Sequence, residues 1–220
     1  ALEADLPPFS FKQDGRLTGF DVELGELLAQ ELDVHPSILI TDSNDLLPGV
    51  ESGKYDVAIN HIALTPQLQD RFDFSEPYSY TGAQLIVRQE EQRPLNTLDT
   101  LKGQLLGVAQ GSQFVEQVRT GQAGEVHSYP DAHQSLVALA DKQLDAAVSD
   151  RLLTPFAIRD SQLAVKEGAT LGPVVALAIP FQKGNPAFQT SLDKALQRIK
   201  ADGRLAALSQ KWFGLDATKP

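Results

Sequence analysis

The chain has 220 residues, 42% hydrophobic and 22% charged, which is the balance of a globular protein with a real core. Nineteen Lys plus Arg against 29 Asp plus Glu leave a net charge of −10, so nucleic acid and anionic membrane surfaces are the poorest candidate partners. There is no Cys and no Met, which excludes thiolate metal sites, disulfides and thiol nucleophiles, and the longest apolar run, Val174–Phe181, is eight residues against the ~20 that a spanning helix needs.

In chain order, Leu24, Leu27, Leu28 and Leu32 recur at helical spacing, and Asp21 is placed to cap the start of that helix. Val57–Ile59 reads as a buried strand after the turn Ser52-Gly53-Lys54, and Ala83–Val87 as another. Leu105–Val108 follows the turn at Lys102-Gly103 and reads as a third. Leu136, Leu139 and Ala140 form a helical stripe, with a strand at Ala146–Val148 after it. Val174–Ile179 reads as a strand. Phe188, Leu192, Ala195, Leu196 and Ile199 make one further helical face, and Leu205, Leu208 and Trp212 another. Strands separated by helices predict an α/β fold with a mostly parallel sheet. The polar, proline-bearing segments 88–96 and 182–186 interrupt this rhythm. They fit either a lobe inserted into a discontinuous first lobe or two surface loops of one domain.

Several blocks carry a family resemblance. They are Pro7-Pro8-Phe9-Ser10-Phe11, Asp14-Gly15-Arg16-Leu17-Thr18-Gly19-Phe20-Asp21-Val22-Glu23, Ser52-Gly53-Lys54-Tyr55-Asp56 and Phe72-Asp73-Phe74-Ser75-Glu76-Pro77-Tyr78. Leu101-Lys102-Gly103, Leu144-Asp145-Ala146 and Lys211-Trp212-Phe213-Gly214 follow in the same order. The ordered set resembles the periplasmic solute-binding proteins for polar amino acids. The segments Val57–Thr65, Ser149–Arg151 and Asp216–Lys219 resemble the cystine-binding branch most. The resemblance implies two α/β lobes of the Venus flytrap type, joined by two crossing strands, with a ligand in the cleft between them and closure by a hinge. It implies a first lobe of residues 1–88 plus 182–220 and a second of 89–181. It further implies no cofactor and no reaction, and a membrane ABC permease as partner of a periplasmic monomer.

A free α-amino acid carries a carboxylate and an ammonium, and a dry site must offer each a partner because an unpaired buried charge is very costly. Asp150, closing the strand 146–148, matches the family's ammonium-binding carboxylate; a strand-end aspartate capping its own loop is the alternative. Gly111-Ser112-Gln113 matches a helix-opening segment whose N–H groups can hold an anion. Asn60, His61 and Ala63 match the segment lining the first-lobe cleft, and Asp5 is expected nearby. Three positions depart from the pattern. Leu68 stands where the family has its carboxylate-clamping Arg, Leu6 where an aromatic usually precedes Pro7, and Ser43 where a second aromatic wall aligns. Arg71, three residues beyond Leu68, either reaches back to replace the lost guanidinium or pairs with Asp70 or Asp73 in solvent. Otherwise the ligand lacks a free α-carboxylate or carries extra positive charge, or the cleft has lost its ligand.

Other chemistries find little support in the sequence. His35, His61, His127 and His133 show no metal-ligand spacing. No nucleophile elbow, dinucleotide fingerprint or P-loop is present; Gly107–Ser112 lacks the phosphate-holding Lys. A dehydratase of the family's few enzymatic relatives would need cationic clamps for a dianion, which Leu68 does not provide. Trp212 and Phe213 read as core anchors of the last helix. The chain opens at Ala1 without initiator or leader, as expected of a chain whose signal peptide was removed or that was cut from something longer. An exported solute-binding protein is the leading reading. A sensor input domain, with or without a small molecule, is the other, and the reading frame beyond Pro220 separates the two.

Overall fold

The computed structural model describes residues 1–110, 112, 114–120 and 124–220. The chain divides into two compact units, Ala1–Tyr80 with Val175–Pro220, and Thr81–Val174. The polypeptide passes from one to the other twice, inside strands and not in loops. The polar segments 88–96 and 182–186 therefore lie beyond the two divisions, several residues further along the chain.

The first unit opens with a three-stranded antiparallel ribbon, β1 (Asp5–Leu6), β2 (Ser10–Gln13) and β3 (Arg16–Thr18). Asp14 and Gly15, both at positive φ (51° and 77°), turn β2 into β3, the conformation that a two-residue hairpin loop demands. Helix α1 (Phe20–Glu31) follows at once and packs on two C-terminal helices, α7 (Pro186–Ala201) and α8 (Arg204–Phe213). Helices α2 (Ser43–Glu51) and α3 (Pro66–Gln69) and the antiparallel pair β4 (Phe72–Phe74) with β10 (Pro180–Gln182) complete the unit. Leu46, Val50, Tyr55, Ala58, Phe72, Phe74 and Ala178 form one core cluster. Phe9, Phe20, Tyr78 and Phe213 form an aromatic one, with Phe20 and Phe213 ring centroids 4.7 Å apart and Phe9 and Phe213 5.2 Å apart. Phe213 is the buried anchor of α8; Trp212 is half-buried and meets Phe11 edge-on at 5.8 Å.

The second unit is built on a five-stranded sheet in the order β7-β6-β8-β5-β9. Its strands are β5 (Ser79–Arg88), β6 (Gln104–Ala109), β7 (Gly124–Tyr129), β8 (Ala146–Asp150) and β9 (Val165–Leu177). The expected parallel arrangement holds for β7, β6 and β8, whereas β5 runs antiparallel to β8. Helices α4 (Val115–Thr120), α5 (Ala132–Ala140) and α6 (Thr154–Ser161) belong to this unit, and Ile86, Leu136, Leu139, Ala147 and Val165 form a core where α5 meets the sheet. Asp131 caps α5 by accepting from Gln134 N at 2.8 Å. Arg88 donates to the carbonyls of Leu139, at 3.2 Å, and Leu144, which serves the open end of the same helix.

Two local expectations change. The segment Val57–Ile59, with Ala58 and Ile59 buried, is part of no named strand; Val57 makes a single antiparallel bridge to Phe181. The strand expected at 174–179 instead begins at Val165 and ends at Leu177. The polar segment after β5 is an ion-paired corner. Arg93 donates to both oxygens of Glu91, at 3.0 and 2.7 Å, and to Asp145 at 3.0 Å. The Arg93 guanidinium holds the Glu91 carboxyl down to about 2.

Candidate functional site

Asp150 is the last residue of β8 and is 5% exposed. Its Oδ1 accepts from the Thr81 hydroxyl at 2.6 Å and from Leu152 N at 2.8 Å, while its carbonyl accepts from the Thr154 hydroxyl at 2.8 Å. The sheet register explains the first contact, because Ala83 faces Asp150 across the β5–β8 pair. The aspartate thus caps its own loop and at the same time holds a carboxylate in fixed orientation at the end of a rigid strand. Of the two roles posed by the sequence, the loop cap is the one these contacts form.

In the first unit, Asn60 is buried, and its side chain is engaged by the N-terminal segment. Its Oδ1 accepts from Glu3 N at 2.8 Å and its Nδ2 donates to Glu3 Oε2 at 2.7 Å. His61 is in the left-handed region, at φ 51°, with its ring centroid 4.2 Å from that of Phe9. Ala63 bridges to Leu177, and the flanking Ile62 carbonyl and Leu64 N–H pair with Ala178 N at 3.2 Å and Ala176 O at 2.8 Å. The segment is therefore stitched to the end of β9, and its backbone position is set on both sides.

The carboxylate that fixes His61 is Asp21. The expected helix cap does not form: Gly19 occupies the cap position and no side chain bonds there. Asp21 is instead fully buried, and its Oδ2 accepts from His61 N at 3.0 Å. Burial raises the Asp21 carboxyl to about 7, against the opposing pull of His61. Residue type alone did not single out Asp21. The available signal was the glycine two residues before it, which permits a close approach that a side chain would block.

The departures from the family pattern have local explanations. Leu68 packs on the cluster around Leu46, Tyr55 and Phe72, and its N–H is taken by the Thr65 hydroxyl at 3.3 Å. Arg71 neither pairs with Asp70 nor with Asp73. Its guanidinium forks onto Glu51, at 3.3 and 2.7 Å, and lies over the Phe72 ring at 5.2 Å, with half of the side chain exposed. Leu6 is half-buried in β1, Asp5 is exposed beside it, and Ser43 is exposed at the first position of α2. The structure gathers Asn60, His61 and Ala63 along one stitched segment, with Asp21 joined to them. Ser112 accepts from Phe114 N at 3.3 Å ahead of the six-residue helix α4. Gly111 and Gln113 lie outside the described residues. Among the described residues no cluster of His, Asp or Glu could hold a metal ion, and no helix is long and apolar enough to cross a membrane.

Residues 1–215 match the family of bacterial extracellular solute-binding proteins, family 3. The chain is 35% identical to the L-cystine-binding protein TcyJ of Escherichia coli K12, over 99% of this chain and 83% of that protein. It is 26% identical to the L-arginine-binding protein of Pseudomonas aeruginosa, over 98% and 87%. Among solved structures, the L-cystine solute receptor of Neisseria gonorrhoeae matches with a TM-score of 0.85 and 27% identity, over 100% of this chain and 93% of that one. An ancestral cationic amino-acid solute-binding protein matches at 0.84 and 26%, over 96% and 93%. The fold is thus the two-lobed, Venus flytrap α/β fold of periplasmic binding proteins. With the family profile running through both units, the chain belongs to the bacterial extracellular solute-binding proteins of family 3.

Proposed function

We propose that the protein captures a small amine-bearing solute of amino-acid type in the periplasm and hands it, unaltered, to an ABC importer, working as a monomer. The observation that carries this reading is the buried Asp150 carboxylate, oriented by Thr81 and Leu152 at the end of a strand. A desolvated carboxylate fixed in orientation is a strong partner for an ammonium. The names of the relatives place amino acids, L-cystine and L-arginine among them, as the solute class to test first.

The other end of the solute is met differently. Leu68 supplies no guanidinium, and Arg71 is already forked by Glu51. A solute carboxylate would rely on backbone N–H groups in place of a guanidinium. Losing a guanidinium partner costs roughly 2–5 kcal/mol, so ordinary α-amino acids bind less tightly here than to relatives that have the Arg, while amides and di- or polyamines lose least. A thermal-shift panel of L-cystine, L-arginine, L-histidine, amino-acid amides and polyamines tests this. A solute at 100 times its Kd adds about 2.7 kcal/mol of stability. If no member stabilises the protein, the proposal fails in favour of a ligand-free domain.

A further inference from the structure

We infer that Asp21 is a positioning residue for solute capture: its carboxylate fixes the left-handed backbone at His61, and so the course of the Asn60–Ala63 segment. The inference rests on the assignment of that segment to the solute in the reading above.

Gly19 sets the position of Asp21. Its φ is 128°, and a Cβ there would lie 2.2 Å from the Phe9 carbonyl oxygen. Only glycine lets the start of α1 come this close to the turn between β1 and β2, where Phe20 N donates to Pro8 O at 3.0 Å and Asp21 N to Phe9 O at 2.8 Å. The approach carries the Asp21 side chain out of solvent, where an acid in a first helical turn is ordinarily content. Inside, Oδ2 takes the His61 N–H at 3.0 Å, and Oδ1 accepts no hydrogen bond. The neighbouring Tyr78 hydroxyl is also buried; burial first and the Asp21 charge second push its phenol up, against the opposing pull of the His61 amide. A carboxylate with half of its acceptor capacity unused is an expensive way to fill a core.

The return is at His61. A non-glycine residue at φ 51° is held in a sparsely populated region and persists only where its surroundings over-determine it. The surroundings that do so are Asp21 on its N–H, Phe9 against its ring, and the Ile62 carbonyl engaged by Ala178 N. Asn60 on the preceding side is held separately by Glu3. Of these ties, Asp21 takes the His61 amide at 3.0 Å, with the Tyr78 hydroxyl also close to that amide. Without Asp21 the left-handed turn is one of several accessible conformations, and affinity falls by the fraction of molecules that keep it.

Two readouts decide the matter: hydrogen exchange at the His61 amide, and calorimetric titration with L-cystine. Asp21→Ala, in conditions where circular dichroism shows it folded, should lose His61 protection by at least roughly tenfold and weaken L-cystine roughly 10- to 100-fold. Asp21→Asn keeps an acceptor of the same shape and should hold both within a few-fold. If Asp21→Ala does not fold, Asp21→Leu, which fills the space without an acceptor, takes its place. An unprotected His61 amide with unchanged affinity overturns the inference, as does a protected amide in the Ala or Leu variant. Loss of fold in both also overturns it, since the carboxylate then supports the whole unit rather than one segment. If the wild type binds nothing on the panel, the reading of function fails, and the exchange data alone decide whether Asp21 fixes the turn.

Discussion

Asp21 in the first unit and Asp150 in the second are both buried aspartates, and they are buried in different ways. Asp150 directs one oxygen to two neutral donors, a hydroxyl and an N–H, at the end of a regular strand. Asp21 has a single backbone donor on one oxygen and none on the other, behind a glycine that allows the approach. The first arrangement fixes a carboxylate at the end of a strand. The second gives up solvation to hold a strained turn. Burial of an acid therefore does not by itself mark a ligand contact.

The pH dependence of stability sharpens this comparison most. The folded-state pKa of Asp21 is raised from 3.8 to about 7, so the folded protein binds this proton more tightly than the unfolded chain does. Its contribution is fully present below pH 4 and is lost as pH rises towards 7. Measured by urea unfolding, the stability of the wild type relative to Asp21→Asn should fall across that window by up to about 4 kcal/mol. A difference that stays flat would show that Asp21 is ionised throughout. His61 is the titratable neighbour that acts on it, and Asp21 in turn acts on Tyr78.

Glu91 provides the opposite sign. Its carboxyl is held down to about 2, mainly by Arg93, so its contribution is present above about pH 4.5 and is lost as pH falls. Arg93 is 44% exposed, and solvent screens the pair. Glu91→Gln should therefore cost only about 1 kcal/mol at neutral pH, with the cost disappearing near pH 2 in the same unfolding measurement. The smallest effect is expected at Arg71. Arg71→Ala should leave melting temperature and solute affinity unchanged to within roughly twofold in Kd, because its fork lies half in solvent on Glu51. A tenfold loss of affinity would show that Arg71 leaves Glu51 to grip the solute.

Much of the fold was legible because periodicity and turns agreed. The stripe Leu192, Ala195, Leu196, Ile199 is the buried face of α7, and the apolar run 83–87 lies in β5. The first half of β9 was hidden because residues 165–173 mix Lys166, Glu167, Gly168, Gly172 and Pro173 and are mostly not buried. The ribbon β1–β3 escaped notice because its strands are two to four residues long. Asp150 and Leu68 stand out in the sequence through their places in the family's motifs. The engagement of Asn60 by Glu3, of Arg71 by Glu51 and of His61 by Asp21 depends on contacts between residues 20 to 57 positions apart, which no local pattern encodes.

The most direct test of the account is calorimetric titration of the wild type and of Asp150→Ala with the best-binding amine-bearing member of the panel. The account predicts saturable one-to-one binding by the wild type and a loss of roughly 30- to 5,000-fold in the variant. Equal affinity in the two proteins would contradict it and remove Asp150 from the solute's contacts.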